Sequence, residues 1–390
     1  MKQIWYSLRA YLSECDISLF LAGLAAAGYG LVLVYSATRS YDSNKYFLVQ
    51  LIGILLGILL YLLMTMVDIE QISRLWKWIF AANLLFISST LFFGVGMDST
   101  GNNSWLRVTL GGFQIGIQPG EVGKILFIIT LAKHIHHLGE DISRFRNLLL
   151  LCLHFLLTAG VLFISSQDMG MTLSYLFIFA IMLLAGGLKL RWFAGAIPAL
   201  GALLFAAWKL DIIPDYMKNR FLAVLDPSYD ITGVGWQAYC SKIAVVGGGL
   251  FGQGYMKGAQ TQSGSLPAKH TDFIFSVACE ELGFFGALLI LALLTFIIYK
   301  CFAVTWRLGG RSYLGSLSAG VGAVLLFQTL VNCGMCLGIV PVIGLTLPFF
   351  SYGGTSVMTM FLALGLVASA RRFGAQPVGL SKFRYDYRYQ

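Results

Sequence analysis

The sequence predicts an all-α protein that crosses a membrane many times, on three observations. Apolar and aromatic residues make up 57% of the 390 residues and charged residues only 12%, whereas soluble domains have about 45–50% and about 25%. The mean hydropathy is +0.76. The apolar residues fall in runs of about 20, the length that a helix needs to cross a bilayer. Soluble enzymes, secreted disulfide scaffolds and disordered regulators are therefore excluded.

Ten apolar runs predict about ten transmembrane helices, which places both termini on the same side of the membrane. The first run is too long for the apolar core of a cleavable signal, so we predict that it is retained. The runs lie at about 17–37, 46–66, 76–95, 119–135, 146–165, 171–187, 190–208, 274–299, 314–334 and 353–370.

The Lys and Arg residues orient these helices. Seventeen of them fall in segments assigned to the inside, and only three fall in the short segments assigned to the outside. Loops rich in Lys and Arg stay in the cytoplasm, so both termini are predicted to be cytoplasmic. The net charge of +9 is then explained by an anionic leaflet and gives no indication of a nucleic acid partner.

One long segment, about 209–272 between helices 7 and 8, is predicted to lie outside. Long loops in compact membrane proteins are more often functional than idle. Within it, Trp236 to Leu250 is expected to form a short helix that lies in the interface or dips into the protein. No linker or internal repeat divides the chain, so we predict one membrane domain over 1–390.

The metal-binding residue types do not predict a metal site. The seven cysteines lie mostly in apolar runs and form no disulfide framework. Cys333 and Cys336 are better explained as small residues of a buried helix. His134, His136 and His137 are better explained as an interfacial basic cluster.

Charged residues within or beside the spans carry the functional signal, because each costs several kcal/mol in the bilayer unless it is paired or hydrated. Glu121 and Lys124 share one face of a helix that begins at Pro119. A neutralising salt bridge and a role in a polar cavity that receives substrate remain equal alternatives. Asp168, before the sixth span, is better explained as a helix cap.

Asp272 ends the long outer segment and precedes the eighth span. Its local sequence favours a helix N-cap. The same position leaves a carboxylate accessible, and partial desolvation there would raise its pKa towards that of a general base. Glu280 and Glu281 follow two turns deeper and point about 100° apart, so at least one should face the interior, with Glu280 better placed to share a wall with Asp272.

Two glycine-containing segments are expected to bring backbone close to other groups. Residues 247–254 have no βαβ context, so they predict close-packed or flexible backbone and not a nucleotide site. Residues 348–356 predict a tight polar turn that leads into the last helix, with backbone N–H groups able to meet an anion.

Taken in order, several motifs resemble the SEDS family of membrane glycosyltransferases, which contains RodA, FtsW and SpoVE. The resemblance covers nearly the whole chain and is most specific at 270–275 with 280–283 and at 347–354. The motifs lie at 30–37, 118–124, 225–227, 235–237, 249–254, 270–275, 280–283 and 347–354. The chain departs from the family at Asn103-Ser104-Trp105 and at Ser166-Gln167-Asp168.

The resemblance implies polymerisation of lipid II into glycan strands at the outer face of the bacterial cytoplasmic membrane. The 4-hydroxyl of one sugar attacks the anomeric carbon of another, so the reaction needs a base and positive charge near the departing pyrophosphate. Asp272 matches the essential aspartate of the family and is the expected base. Lys124, Arg220 and Lys242, in that order, are expected to contact the pyrophosphate. Further expected substrate contacts are Glu121, Gln237, His270, Thr271, Glu280, Ser351 and Tyr352.

The resemblance also implies partners. The substrates would be lipid II and undecaprenyl-linked glycan, and the protein partner a class B penicillin-binding protein, a transpeptidase. No tightly bound cofactor is expected, although a divalent cation such as Mg²⁺ or Mn²⁺ can assist at a pyrophosphate. The short tails favour a RodA-like role in elongation over division or sporulation. The alternatives are a flippase for lipid-linked precursors, against which no inverted repeat is found, and a non-catalytic scaffold.

Overall fold

The computed structural model describes residues 16–41, 44–96, 103–110, 113–211, 213–225 and 233–374. The described chain is mostly helical, with fifteen α-helices, three short 3₁₀ turns and one β-hairpin. The helices are α1 Ile17–Thr38, α2 Lys45–Met66, α3 Ile69–Ile72, α4 Trp76–Ser88, α5 Thr90–Phe93, α6 Pro119–Leu138, α7 Phe145–Ser166, α8 Met169–Ala185, α9 Leu190–Lys209, α10 Asp215–Leu225, α11 Val234–Gly247, α12 Ala259–Ser263, α13 Ile274–Leu308, α14 Tyr313–Cys336 and α15 Gly354–Gly374.

The predicted membrane fold is confirmed. Eight helical segments in the described ranges are long and apolar enough to cross a bilayer. Helix α8 is apolar but has only 17 residues, and α6 carries Glu121, Lys124 and Lys133. Both coincide with predicted spans, and the total of ten spans stays a prediction.

The centre of the bundle is formed by α14 and α15, most of whose residues are buried. Helix α13 packs along α14, and α2 packs along α15. Gly53 of α2 faces Gly354, and Gly57 faces Phe361. Small residues at these points let the two helix backbones approach closely. Helix α9, in contrast, has no buried residue.

A β-hairpin that was not predicted from the sequence precedes α6. Its strands are β1 Leu106–Leu110 and β2 Phe113–Ile117, antiparallel, with Leu106 opposite Ile117. The Thr355 hydroxyl at the start of α15 donates to the Gly116 carbonyl oxygen at 2.8 Å. The hairpin is thereby joined to the segment that leads into the last helix.

The long outer segment contains three helices, α10, α11 and α12. The expected helix from Trp236 is confirmed as α11, which packs against α13. After α11, the glycine segment 247–254 docks on a kink in α13 at Gly283, whose φ is +69°. A Cβ at Gly252 would lie 2.2 Å from the Glu281 carbonyl oxygen. The expectation of close-packed backbone is therefore confirmed.

Candidate active site

The Asp272 side chain lies in a turn that closes just before α13 begins. The N–H groups of Thr271, Asp272 and Phe273 all donate to the carbonyl oxygen of Ala268, at 3.1, 3.1 and 3.3 Å. Helix α13 begins at Ile274, and its N-cap residue is Phe273, without a side-chain capping bond. The N-cap interpretation of Asp272 is therefore wrong. Because the turn closes on main-chain bonds, the Asp272 carboxylate is not used to cap the helix.

The turn that leads into α15 holds this loop in place. The Ser351 hydroxyl donates to the Thr271 carbonyl oxygen at 2.5 Å, and the Tyr352 N–H donates to the His270 carbonyl oxygen at 2.8 Å. The Asn332 side chain in α14 donates to the carbonyl oxygens of Asp272 and Leu345, at 2.8 and 2.7 Å. The structure thus brings together the two most specific sequence motifs.

Four backbone N–H groups of this turn are already bonded to protein acceptors. Those of Phe350 and Ser351 donate to the Leu347 carbonyl oxygen, and that of Gly353 donates to Oε1 of Gln50 at 3.0 Å. The Tyr352 N–H donates to the His270 carbonyl oxygen. The polar turn is confirmed. These four groups are not available to an anion because protein acceptors occupy all of them, and an anion contact elsewhere in 348–356 stays a prediction.

The Asp272 carboxyl has the electrostatic environment of a general base. Its side chain is partly accessible, and desolvation raises its pKa to about 6. The negative charge of Asp168 also raises this pKa, whereas the Thr271 hydrogen bond and the Arg220 charge lower it. A carboxyl with this pKa is mostly ionised at neutral pH and still accepts a proton readily.

Asp168 and Arg220 line one small cleft beside Asp272. The Asp168 carboxylate accepts from the Met171 N–H at 2.9 Å, so its predicted role as the cap of α8 is confirmed. Burial raises the Asp168 pKa. The remaining lining residues are Gln167, Met169, Leu173, Met217, Phe221 and Ile343. Next to Ile343, Gly344 adopts a φ of +72°, and a Cβ there would be 3.6 Å from Oδ2 of Asp272.

The Glu121 and Lys124 side chains form a buried ion pair with an N–O distance of 2.9 Å. Both charges act on the Asp168 pKa, so the pair lies within electrostatic range of the cleft. Oε2 of Glu121 has no hydrogen-bond partner among the described residues. Gly120, beside Glu121, lines a second cavity that also reaches Asp168. The salt bridge is present, and its unpaired oxygen keeps the alternative role in a polar cavity open.

Three expected pyrophosphate contacts lie in different environments. Arg220 lines the cleft and is partly exposed, whereas Lys124 is completely buried. The Lys242 side chain in α11 lies across Gly338, where a Cβ would be 1.8 Å from its Cε. Gln237, one turn earlier in α11, is partly buried. Arg220 is therefore the cation best placed to meet a ligand in the cleft.

Glu280 and Glu281 hold the outer segment to α13. Glu280 accepts from the N–H groups of Gln260 and Thr261 and from the Thr261 hydroxyl, at 2.7 to 2.9 Å. Glu281 accepts from the Ser36 hydroxyl, the Met256 N–H and the Gln262 side chain. Both carboxylates are completely buried. Protein donors occupy both oxygens of Glu280, so any influence on substrate passes through the segment that it anchors.

One positioning residue, Asn332, was not predicted from the sequence. Its amide holds Asp272 and Leu345 together and is completely buried. A side-chain amide in the apolar run 314–334 was the available signal, because such a group must find partners inside the bundle.

The chain is similar in sequence to proteins of one family. The family model FTSW_RODA_SPOVE, described as "Cell cycle protein", matches residues 17–376. The probable peptidoglycan glycosyltransferase FtsW of Trichlorobacter lovleyi is 33% identical over 368 residues, which cover 91% of this chain and 93% of the relative. Stage V sporulation protein E of Bacillus subtilis is 31% identical over 376 residues, which cover 92% and 97%.

Solved structures are also similar. A chain from a peptidoglycan synthase complex that coordinates polymerization and crosslinking has a TM-score of 0.78 at 31% identity, covering 93% of this chain and 99% of that chain. The rod shape determining protein RodA of Thermus thermophilus has a TM-score of 0.67 at 27% identity, covering 93% and 98%.

Proposed function

The chain belongs to the FtsW, RodA and SpoVE family of cell cycle proteins, and on that premise we propose that it polymerises lipid II into peptidoglycan strands. It is a multi-pass bacterial membrane protein and a peptidoglycan glycosyltransferase that serves cell shape or division. The reaction takes place at the end of the bundle that carries Asp272, which the basic residues assign to the outer face of the membrane.

Asp272 is the general base in this proposal. The 4-hydroxyl of the acceptor sugar gives its proton to the Asp272 carboxylate while its oxygen attacks the anomeric carbon of the donor sugar. The bond from that carbon to the pyrophosphate breaks, and the lipid pyrophosphate departs with the electron pair. One observation carries this role: the Asp272 carboxyl, which makes no helix-capping bond and stays partly accessible, has a pKa raised to about 6.

Arg220 is the proposed contact of the departing pyrophosphate. It lies in the cleft beside Asp168, and a fixed positive charge there stabilises the negative charge that develops as the bond breaks. The described residues contain no cluster of three or more metal-ligating side chains. A divalent cation would therefore depend on the pyrophosphate for most of its ligands, with Asp168 within reach of the same cleft.

A class B penicillin-binding protein is the proposed partner. The similar peptidoglycan synthase complex couples polymerization to crosslinking, and the sequence contains no transpeptidase serine motif. Crosslinking would then come from the second chain. A RodA-like role in elongation remains the proposed branch of the family.

The test is polymerisation of labelled lipid II by the purified protein with its partner, resolved as a ladder of glycan lengths. We expect ladders from the wild type and none from Asp272→Asn, with an unchanged thermal unfolding midpoint. Asp141→Asn is the matched control, because among the described residues the side chain of this exposed aspartate pairs only with the exposed Arg144. Undiminished ladders from Asp272→Asn would exclude the general-base role.

The same preparation tests the flippase alternative. A wild-type protein that forms no ladders with its partner, yet moves labelled lipid II across vesicle membranes, would exclude the proposed polymerase. We expect ladders and no such movement.

A further inference from the structure

Four aromatic rings form a cluster directly beside the Asp272 loop. The His270 ring lies 5.6, 5.1 and 5.5 Å from those of Tyr41, Tyr46 and Tyr352, measured between centroids. Tyr46 is also 5.1 Å from Tyr352 and 5.5 Å from Tyr41. Tyr41 ends the 3₁₀ turn after α1, and Tyr46 lies in the first turn of α2. Three distant segments therefore contribute to one cluster.

Every ring of the cluster retains exposed surface. Tyr41 is 41% exposed, and Tyr46, His270 and Tyr352 are each partly exposed. The three tyrosine rings all contact the ring of one histidine. Nδ1 of His270 is buried and has no hydrogen-bond partner among the described residues. Burial lowers the His270 pKa to about 4, so the ring is uncharged at neutral pH.

A buried lysine fixes the cluster in place. The Lys269 ammonium donates to the Ser40 hydroxyl at 2.9 Å and to the Thr261 carbonyl oxygen at 2.5 Å. It lies 5.2 Å from the centre of the Tyr41 ring, within the range of a cation–π contact. Because Lys269 is 1% exposed, its charge stabilises the aromatic cluster and is shielded from a ligand.

The chemistry of the cluster suits a sugar ring. A hexose presents an apolar face of C–H groups that packs on aromatic rings, while its hydroxyls meet hydroxyls such as those of tyrosine. A pyrophosphate needs accessible positive charge instead, and that is provided by Arg220 in the cleft with Asp168. The Tyr352 N–H bond to His270 ties the aromatic cluster to the loop that carries the base.

We propose that Tyr41, Tyr46, His270 and Tyr352 form a sugar-binding subsite that stacks on an amino-sugar ring of the lipid-linked disaccharide and holds it beside Asp272. This inference rests on the proposed function and adds Tyr41 and Tyr46 to the residues expected from the sequence. The subsite places the sugar, and Arg220 meets the pyrophosphate.

The test measures ligand binding without turnover, in protein that carries Asp272→Asn. Two ligands are compared, lipid II and undecaprenyl pyrophosphate, which has the same lipid and pyrophosphate but no sugar. In Tyr46→Leu and in Tyr41→Leu, we expect the Kd of lipid II to rise about three- to tenfold, which corresponds to the loss of one aromatic stacking contact. The Kd of undecaprenyl pyrophosphate should not change. Tyr46→Phe keeps the ring and should bind lipid II within about twofold of the parent.

Tyr299→Leu is the matched control, because this exposed tyrosine of α13 lies outside the cluster and contacts Trp306. Tyr41→Leu keeps the test valid if Tyr46→Leu fails to fold, since Tyr41 is more exposed. Unchanged lipid II binding in Tyr41→Leu, or an equal loss for both ligands, would overturn the subsite. Failure of the wild type to form glycan ladders would instead overturn the proposed function, so the two failures are distinguishable.

Discussion

The Asn332 amide donates a hydrogen bond of 2.8 Å to the main-chain oxygen of Asp272. Its second bond, to Leu345 at 2.7 Å, places the same amide between the Asp272 loop and the segment beside Gly344. This buried side chain in α14 therefore helps to position the proposed base relative to the cleft, together with the Ser351 and Tyr352 bonds to the same loop. Its carbonyl oxygen lies 4.0 Å from the Cys336 sulfur, so neighbouring groups on the same helix also restrain it.

The first prediction concerns Asn332→Ala. The change leaves two buried carbonyl oxygens without this donor, at a cost of about 1–3 kcal/mol. Because the Asp272 loop loses one of its restraints, we expect kcat for lipid II polymerisation to fall at least about tenfold while KM changes little. The measurement is ladder formation against lipid II concentration, with the thermal unfolding midpoint alongside. Thr329→Ala on the same helix is the control, since within the described part of the chain its hydroxyl bonds only to the Leu325 carbonyl oxygen. An unchanged kcat would contradict the positioning role.

The second prediction concerns the pH dependence of the rate. Asp272 accepts a proton only when ionised, and its pKa is about 6, so the rate should fall as the pH decreases through 6. Arg220 lowers this pKa and Asp168 raises it. Arg220→Gln should therefore shift this fall in rate to higher pH, and Asp168→Asn should shift it to lower pH.

For these two variants, the measurement is the pH dependence of kcat/KM between about pH 5 and pH 8, which reports pKa values of the free enzyme. Asparagine caps helices as well as aspartate does, so Asp168→Asn preserves the start of α8. Shifts in the same direction, or no shift in either variant, would contradict the proposed coupling to Asp272.

The third prediction concerns the docking of the glycine segment on α13. Gly252 has a φ of +79°, and a Cβ there would lie 2.2 Å from the Glu281 carbonyl oxygen. Gly252→Ala adds a backbone collision to a conformational cost of about 1–3 kcal/mol. Gly249 has a φ of +55° with nothing within 4 Å of its Cβ position, so Gly249→Ala carries the conformational cost alone. We expect a clearly lower unfolding midpoint for Gly252→Ala than for Gly249→Ala. Equal midpoints would show that the close approach of Gly252 to the Glu281 carbonyl oxygen does not affect stability.

The sequence predicted those features whose cause is local. Hydropathy alone located the long helices, and α11 followed from the apolar residues after Trp236. The hairpin was missed because an apolar chain hides short alternating strands, although Leu106–Leu110 and Phe113–Ile117 flank a Gly-Gly pair that is typical of hairpin turns.

The site was predicted only in part for a physical reason. Asp272 could be selected by its position and by the resemblance, but whether its carboxylate caps α13 depends on a turn closed by Ala268. The partners of Glu280 and Glu281 lie in the outer segment and in α1, as far away in sequence as Ser36. The aromatic cluster joins Tyr41 and Tyr46 to His270 across more than 220 residues. No local pattern encodes such contacts.

The fourth prediction separates the two interpretations of Glu121 and Lys124. Lys124→Met alone leaves a buried carboxylate without its counter-ion, which costs about 3–5 kcal/mol. The double variant Glu121→Leu with Lys124→Met removes both charges, and replacing a buried pair by apolar residues is often neutral. We therefore expect the double variant to recover the unfolding midpoint that the single variant loses.

Activity of the double variant then decides between the interpretations. A purely structural pair should have both carboxylate oxygens satisfied, yet Oε2 of Glu121 lacks a partner among the described residues, and its charge acts on the Asp168 pKa. Since the pair contributes to the field at the cleft, we expect the stable double variant to polymerise lipid II at least about tenfold more slowly than the wild type. Ladder formation at the wild-type rate would show that the pair serves only to neutralise two buried charges.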